Sequence, residues 1–267
     1  MDNKDILRGK LHDWINKAEK YSMPVFSKFL NQTEISFIKE IILEDKLITE
    51  KDKIGDLYYF FFGGQDENDA ACLFLLPDFF SLDDFKNSLN NETSTIACLH
   101  IYPKNEKYAE ELTHRDVLGS LMSLGFERNE FGDILIQDYD VYLFLLDTNA
   151  SVVSDELKKI RNTYIKIEKI PPSSCPIHRE FEEREIRIPS LRIDAILGEV
   201  FYLSRSVTEE LLSGKNVFLS GETITEKDFK VKENSRISVR GYGKFVFLGV
   251  VGESKKGKLI ASVKIYK

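Results

Sequence analysis

The chain has 267 residues, of which 42% are hydrophobic and 12% aromatic, and its formal net charge is −7. This length and composition predict one to three folded domains and exclude a disordered chain. The acidic balance argues against a general nucleic-acid binder. No apolar run approaches the roughly 20 residues of a membrane-spanning helix, and the charged N-terminus lacks the apolar region of a signal peptide. We therefore expect a cytoplasmic protein without a membrane span.

We predict an α+β fold of three domains, of which the first is an N-terminal α/β region at residues 1–92. An amphipathic helix covers roughly residues 4–20. Asn31 or Thr33 can cap a second helix that runs to about Lys46. The strands DLYYFFFGG and ACLFLLP follow, and the polar segment QDENDA between them is typical of a turn.

Residues 93–172 alternate strands and helices in the order β-α-β-β-α-β. The elements are the strand TIACLHIYP, the helix EELTHRDVLGSLMSLGF, two strands in DILIQDYDVYLFLL with a turn near Asp138, the helix DELKKIRNTYI and the strand IKIEKIP. RNA-recognition domains share this ferredoxin-like order. We predict a ferredoxin-like (RNA-recognition-like) βαββαβ middle domain, although topology does not assign a function.

The RNA signature of this middle domain is weak. An RNA-recognition sheet normally carries a basic-Gly-aromatic pattern on its third strand, whereas this strand reads DVYLFLL. Tyr142 and Phe144 alternate and could stack on RNA bases from an open sheet face. Packing of both rings in the core is the favoured interpretation.

The tripeptide His114-Arg115-Asp116 is similar to the protein-kinase catalytic loop. That loop needs Asn five residues after its Asp, where this chain has Leu121. The structural interpretation is that the three residues open a helix, with Asp116 favourable in its first turn. The alternative is a possible second RNA surface formed by His114, Arg115 and Arg128.

A linker is predicted at residues 173–186 and a C-terminal domain at 187–267. The stiff Pro171-Pro172 pair and a charge run, HREFEEREIR, mark the break. The C-terminal domain has 15 Lys and Arg against 9 Asp and Glu, whereas residues 1–186 have 22 against 35. A basic module on an acidic body should concentrate nucleic-acid binding at the C-terminal end.

The three cysteines, Cys72, Cys98 and Cys175, are far apart and form no C-x-x-C pair. A disulfide framework or a zinc site is therefore not expected. Cys72 and Cys98 lie in apolar strand-like runs and should be core residues, whereas Cys175 is expected to be a thiol of the linker. No cofactor or metal site is predicted.

Two short helices are predicted between residues 191 and 222. The first has apolar residues at helical spacing: Ile193, Ile196, Leu197 and Val200. The second starts at Ser204 or Ser206, either of which can cap it, and Ser206 with Glu209 fits a capping box. Gly214 should end it in the left-handed conformation.

The basic residues of this module follow both the helices and a later strand. Arg192, Arg205 and Lys215 are expected to share one exposed face with the start of the second helix, where backbone N–H groups can also bind phosphate. Solvated arginines on a stable helix pair are the simpler interpretation. In SRISVRGYGKF, Arg236 and Arg240 alternate with apolar residues and form a second basic stripe that ends at Lys244.

The order Arg-Ile-Asp, helix, Leu-Ser-Arg-Ser, helix, Gly-Lys, strand and SVRGYGKF resembles the S4 RNA-binding domain over about residues 189–250. Ser220 stands where that family often has Asn, and KENSRI lacks the usual Gly-Asp; both departures concern turns. The segment HRDVLGSLMSLGFERNEFGDI, residues 114–134, resembles the signature of the YlmH family. These bacterial proteins have an RNA-recognition-like middle domain and a C-terminal S4 domain.

The resemblance implies a non-enzymatic translation factor of ribosome-associated quality control. Its partners would be large-subunit ribosomal RNA and peptidyl-tRNA on stalled large ribosomal subunits. Matched position by position, the resemblance implies that the RNA is contacted by Arg192, Ser204, Arg205, Ser206 and Lys215. Arg240 and Lys244 would lie beside these contacts.

The alternative is an RNA-modifying enzyme, similar to a pseudouridine synthase, that uses the S4 domain as a targeting arm. Such an enzyme needs a catalytic aspartate, and FGDILI offers Asp133 at the start of a strand. The aspartate lacks the expected sequence context, and Gly132-Asp133 is more typical of a turn. Four scattered histidines and the lack of G-x-S-x-G give no basis for a nucleophilic triad.

Overall fold

The computed structural model describes residues 3–65, 68–91, 94–255 and 257–267. The chain forms two compact units, Met1–His178 and Arg179–Lys267. The mixed composition of helices and antiparallel sheets confirms the α+β class. The predicted boundary between residues 92 and 93 lies outside the described residues, as does part of the QDENDA turn. No described helix is both long enough and apolar enough to cross a membrane.

The N-terminal part of the first unit pairs helices with a five-stranded antiparallel sheet. Its elements are α1 (Asn3–Tyr21), β1 (Val25–Phe26), α2 (Gln32–Glu44), β2 (Ile48–Glu50), β3 (Lys53–Ile54), β4 (Leu57–Phe62), β5 (Cys72–Pro77) and α3 (Leu82–Ser88). The strand order is β1-β5-β4-β3-β2. Both long helices were predicted, and Asn31 caps α2 in a reciprocal capping box with Glu34. Buried residues such as Leu11 and Ile38 pack these helices onto the sheet.

The second part of the unit follows the predicted β-α-β-β-α-β order, with an additional two-residue strand before the last strand. Its elements are β6 (Ile96–Pro103), α4 (His114–Ser123), β7 (Phe131–Gln137), β8 (Asp140–Leu146), α5 (Asp147–Glu156), β9 (Lys159–Ile160) and β10 (Thr163–Ile170), with 3₁₀ turns at Glu106–Tyr108, Arg128–Glu130 and Pro172–Ser174. The strand order β7-β8-β6-β10-β9 places β6 and β8 next to each other. The predicted turn near Asp138 is confirmed, with a left-handed φ of 54° at that residue.

The two sheets of this unit pack face to face. Phe74 of β5, Cys98 of β6 and Phe144 of β8 belong to one buried apolar layer between them. Tyr142 and Phe144 are 7% and 0% exposed, so the core interpretation of these rings is confirmed. Helices α1 and α2 cover the other face of the first sheet, and α4 and α5 cover the other face of the second. The layers therefore run helix, sheet, sheet, helix.

The second helix of the middle region was predicted at the wrong place. The segment DELKKIRNTYI contains the end of α5 and the hairpin of β9 and β10. Arg161 has a left-handed φ of 50°, and with Asn162 it forms the two-residue turn that pairs Ile160 with Thr163. The β-branched residues of TYIKIEKI favour the strand over the helix.

The second unit is a six-stranded antiparallel sheet with two helices on one face. Its elements are β11 (Phe181–Ile188), α6 (Ile193–Phe201), α7 (Arg205–Ser213), β12 (Val217–Leu219), β13 (Glu222–Thr223), β14 (Ser235–Val239), β15 (Gly243–Glu253) and β16 (Leu259–Tyr266). The strand order is β11-β16-β15-β14-β12-β13. Leu197 and Leu212 of the helices pack against Ile237, Phe245 and Phe247 of the sheet.

The predicted linker at residues 173–186 needs two corrections. Residues 181–186 lie in β11, which pairs with β16 along its whole length. Ile186 and Ile188 of this strand are buried in the core of the unit. Cys175 is 1% exposed and belongs to the layer between the sheets of the first unit, so it is not an exposed linker thiol. Cys72 and Cys98 are buried as predicted.

Candidate nucleic-acid interface

A groove of about 460 Å³ opens beside α6 and the start of α7. We call it the helical groove and define it by its charged side chains: Arg192, Asp194, Glu199, Arg205 and Lys258. Its three basic groups come from three separate segments, and two of them were predicted as RNA-binding residues. The unit that carries the groove has 17 Lys and Arg against 13 Asp and Glu, whereas residues 1–178 have 20 against 31.

Arg192 is held in the groove by a carboxylate two residues later. Its Nε and Nη2 donate to the Asp194 carboxylate at 3.0 and 2.7 Å, and the backbone N–H of Ala195 donates to the same carboxylate at 2.9 Å. The hydrogen bond from Arg192 lowers the pKa of Asp194, although partial burial acts in the opposite direction. The pair fixes the direction of the guanidinium, and Asp194 offsets part of its charge.

The start of α7 carries the predicted residues Ser204, Arg205 and Ser206, of which Arg205 lines the groove. Ser204 is the N-cap, because its Oγ accepts a hydrogen bond from the Val207 N–H at 3.4 Å. Its Oγ also lies 2.9 Å from the Ser206 Oγ. Because α7 begins at Arg205, with Ser204 as its N-cap, the predicted alternative cap at Ser206 does not form. The Arg205 side chain is 76% exposed, and its Nε lies 3.5 Å from the Glu209 carboxylate. An exposed pair of this kind holds the arginine weakly, so Arg205 can move to meet a phosphate.

Lys215 lies at the other end of α7, in disagreement with the expected shared face. The nine residues of α7 span about 13 Å, and Lys215 is not among the described residues that line the helical groove. Gly214, expected to be left-handed, has a φ of −76°, and Lys215 takes the left-handed φ of 57° instead. Glycine fits at position 214 better than a larger residue, because a Cβ there would lie only 2.9 Å from the Glu210 carbonyl oxygen.

The remaining predicted residues lie in the sheet or in the turns beside it. We call Lys215, Arg236, Arg240 and Lys244 the strand surface. The Arg240 N–H donates to the Asn216 carbonyl at 2.9 Å, which puts Arg240 beside the Lys215 segment. Ile237 and Val239 are buried against the helices, so Arg236 lies on the opposite sheet face. The predicted strand stripe therefore stays separate from the helical groove, and Lys215 lies with the stripe and not with Arg192 and Arg205.

Aromatic rings accompany the arginines of the strand surface. The Arg236 guanidinium lies 5.4 Å from the ring centroid of Tyr266, and that of Arg240 lies 5.8 Å from the ring centroid of Phe218. Cation–π contacts of this length orient a guanidinium over a ring face. Both arginines are therefore partly committed to contacts within the protein.

The possible second RNA surface predicted at His114, Arg115 and Arg128 consists of residues with different roles. Arg128 donates from Nη1 to the carbonyl oxygens of Phe131 at 2.7 Å and Gly132 at 3.4 Å, so it supports the backbone. His114 and Arg115 are exposed in the first turn of α4. The pKa of His114 is lowered, first by desolvation and then by the nearby Arg128 charge. A neutral imidazole gives little attraction for phosphate, which leaves Arg115 as the main cation of this surface.

The aspartates considered for catalysis both make structural hydrogen bonds. Asp116 is the N3 residue of α4 and forms a capping box with Thr113. Asp133 is 6% exposed in β7, where its carboxylate accepts from the N–H groups of Asp69 at 2.9 Å and Ala70 at 3.1 Å. The prediction of a turn at Gly132-Asp133 is wrong, because these residues lie within the strand at a bulge. In the described residues, no three His, Cys, Asp or Glu side chains are grouped to hold a metal ion.

Two features of this unit were missed in the sequence. Lys258 reaches the helical groove from the turn between β15 and β16, and the basic run KKGK was the signal for it. Arg184 of β11 contacts Tyr202 at the end of α6. No local spacing connects these two residues, because the contact depends on how the strand and the helix pack.

The first comparison with known proteins concerns the middle region. Residues 91–174 match the family model described as the RNA-binding domain in YlmH. The match spans the β-α-β-β-α-β elements and the 3₁₀ turn after them. This region of the chain is therefore similar to the RNA-binding domain of the YlmH family.

A curated protein similar to this chain is the ribosome-associated protein quality control protein P2 of Bacillus subtilis (strain 168). It is 26% identical over 202 residues, which cover 74% of each chain. A solved structure, the cell division protein ylmH from Streptococcus pneumoniae, is 24% identical and has a TM-score of 0.46, covering 64% of this chain and 93% of that one. The family model and the relative describe an RNA-binding, ribosome-associated protein and no enzyme family, in agreement with the predicted non-enzymatic class.

Proposed function

We propose that this chain is a non-enzymatic RNA-binding factor of ribosome-associated quality control. In this proposal the Arg179–Lys267 unit is an S4-type domain that binds large-subunit ribosomal RNA, and the chain holds peptidyl-tRNA on stalled large ribosomal subunits. The name of the B. subtilis relative supports the process, and the family model supports RNA as the ligand.

The observation that carries the proposal is the helical groove. It combines an oriented guanidinium at Arg192, an exposed one at Arg205 and the N-terminal end of α7. Backbone N–H groups at a helix start and arginine forks both bind phosphate oxygens. The strand surface and Arg115 offer further contacts to a large RNA, whose backbone extends well beyond one groove.

The alternative of an RNA-modifying enzyme has weaker support. Its candidate Asp133 accepts two backbone hydrogen bonds in a nearly buried site. A carboxylate committed in this way is poorly placed to attack a nucleotide. Mass analysis of nucleosides from total RNA tests this alternative, and a mass shift that depends on Asp133 would overturn the non-enzymatic assignment.

The proposal is tested by crosslinking the full chain to RNA in lysate, sequencing the bound RNA and profiling the protein on a sucrose gradient. We expect large-subunit ribosomal RNA and tRNA, with the protein on free large subunits. Arg205→Glu should abolish this co-sedimentation, whereas the matched change Arg187→Glu at an exposed position of β11 should retain it. In binding assays, Arg205→Ala should lower the salt slope of RNA affinity by about one.

Three results would contradict the proposal. The first is a protein that stays at the top of the gradient, and the second is a set of scattered messenger RNAs. The third is an equal effect of Arg205→Glu and Arg187→Glu, which would mean that general charge and not the groove determines binding.

A further inference from the structure

Tyr202 ends helix α6 in a conformation that tyrosine rarely adopts. Its φ of 55° and ψ of 43° lie in the left-handed region, and its N–H donates to the Gly198 carbonyl. Glycine is the usual residue at such a helix end, because a Cβ is unfavourable there. Burial of the Tyr202 side chain does not stabilise the fold, because the residue is 78% exposed. A bulky ring at a position that favours glycine therefore needs another explanation.

Arg184 fixes the orientation of this exposed ring. Its Nη1 donates to the Tyr202 hydroxyl at 2.7 Å, and its guanidinium carbon lies 4.9 Å from the ring centroid. Its Nη2 also donates to the Val200 carbonyl, which ties the arginine to the end of α6. A ring that is held in place but still exposed loses little conformational entropy when a planar ligand stacks on it.

The surroundings of Tyr202 indicate which ligand it would take. Leu203 and Arg205, which follow it in the chain, both line the helical groove. Phe201, which precedes Tyr202 in the chain, lies 5.9 Å from the ring of Tyr242, which is itself 45% exposed. Exposed aromatic rings beside a basic groove are the arrangement by which proteins bind single-stranded nucleic acid.

We propose that Tyr202 stacks on an unpaired RNA base while a phosphate of the same strand lies in the helical groove. This inference rests on the proposed RNA-binding function and adds a preference for unpaired nucleotides. Arg184 is the positioning residue of the stacking ring. Duplex RNA offers the groove its phosphates but keeps its bases inside the helix, so it should not engage Tyr202.

The test compares two RNA probes of similar charge: a hairpin with 2-aminopurine in its loop and a blunt-ended duplex. Full-length Tyr202→Gly removes the ring and its contact with Arg184 but suits the left-handed backbone, and since these two effects oppose each other its melting temperature should stay close to that of the wild type. It should bind the hairpin at least about fivefold more weakly and lose the quenching of 2-aminopurine fluorescence. Its salt slope and its duplex affinity should not change, because no phosphate contact is removed.

Two control variants make the outcomes distinguishable. Tyr108→Ala removes another exposed ring, 71% exposed in the other unit, and should bind both probes like the wild type. Arg205→Ala should weaken binding to both probes. The inference is overturned, and the proposed function stands, if Arg205→Ala weakens both while Tyr202→Gly keeps the affinity and the quenching. Equal losses of Tyr202→Gly on hairpin and duplex would also overturn base stacking. If wild type binds neither probe, or Arg205→Ala changes nothing, the proposed function and this inference fail together.

Discussion

Replacement of Asp133 by alanine removes the acceptor of two backbone hydrogen bonds at the edge of the layer between the sheets. The carboxylate accepts from the N–H groups of Asp69 and Ala70, and both Asp133 and Ala70 are buried. Alanine cannot replace either bond, so both N–H groups lose this acceptor. The variant therefore tests whether Asp133 has the structural role that the proposed function requires.

The size of the effect follows from these two contacts. A hydrogen bond to a charged acceptor contributes about 1.5–3 kcal/mol, and an unsatisfied buried N–H costs about 1–3 kcal/mol. The two contacts of Asp133 therefore predict a loss of about 3–5 kcal/mol for Asp133→Ala. Asp133→Asn keeps one oxygen acceptor but turns an NH₂ group toward the second donor, so about 1–3 kcal/mol should be lost. A domain with a total stability of about 5–15 kcal/mol would show either change clearly.

The assay uses the single tryptophan of the chain. Trp14 lies half-buried in α1, so its fluorescence reports the unfolding of the Met1–His178 unit in urea. The unfolding midpoint should fall for Asp133→Ala while the m-value stays constant, because the same surface is exposed on unfolding. Asp138→Asn is the matched control, because it alters an exposed aspartate whose left-handed φ of 54° asparagine tolerates. The control should change stability by less than about 0.5 kcal/mol.

A small effect at Asp133 would refute this reasoning. If Asp133→Ala costs less than about 1 kcal/mol, the two hydrogen bonds do not hold the strand, because even one of them should contribute more than this. If Asp133→Asn keeps full stability but abolishes a modification of cellular RNA, the carboxylate is catalytic and the enzyme alternative is correct.

Three further predictions concern pH, the second core and the thiols. Because Arg192 lowers the pKa of Asp194, the stabilisation by this pair should be present at neutral pH and disappear as the pH falls below about 4, so the melting temperatures of wild type and Asp194→Asn should converge in acid. Leu211→Asp places a charge among the buried residues of the Arg179–Lys267 unit and should abolish the cooperative near-UV circular dichroism transition of that unit and RNA binding with it. All three cysteines are buried, so a thiol reagent should label them only after denaturation, and rapid labelling of the native chain would contradict the packing.

Elements of the first unit could be predicted from the sequence where they depend on contacts between residues that are close together in the chain. The capping box of Asn31 with Glu34 and the turn at Asp138 depend on residues a few positions apart. Helix α5 was missed because DTNASVVSDE buries only Ala150 and Val153, whereas the following segment is richer in strong helix formers. The packing of sheet on sheet was not foreseen, although the continuous apolar run of β8 is typical of a strand buried on both faces.

The candidate site was only partly predictable for a related reason. Arg192 and Arg205 meet in one groove because they belong to consecutive helices joined by a short turn. Lys215 was grouped with them by its place in the chain, yet the length of α7 separates it from Arg205. The contact of Arg184 with Tyr202 depends on the packing of an edge strand that the sequence suggested was a linker.

The apolar layer between the two sheets also determines how the middle region can be studied. A fragment limited to residues 93–172 would lose Phe29, Cys72 and Phe74 and would leave Phe144 and Tyr142 uncovered. In RNA-recognition domains, aromatic rings on the open sheet face are the ones that bind bases. Such a fragment would expose an aromatic apolar surface and should therefore self-associate. It would also bind RNA non-specifically through rings that are covered in the intact chain. An RNA affinity measured on the fragment would then be an artefact of the cut.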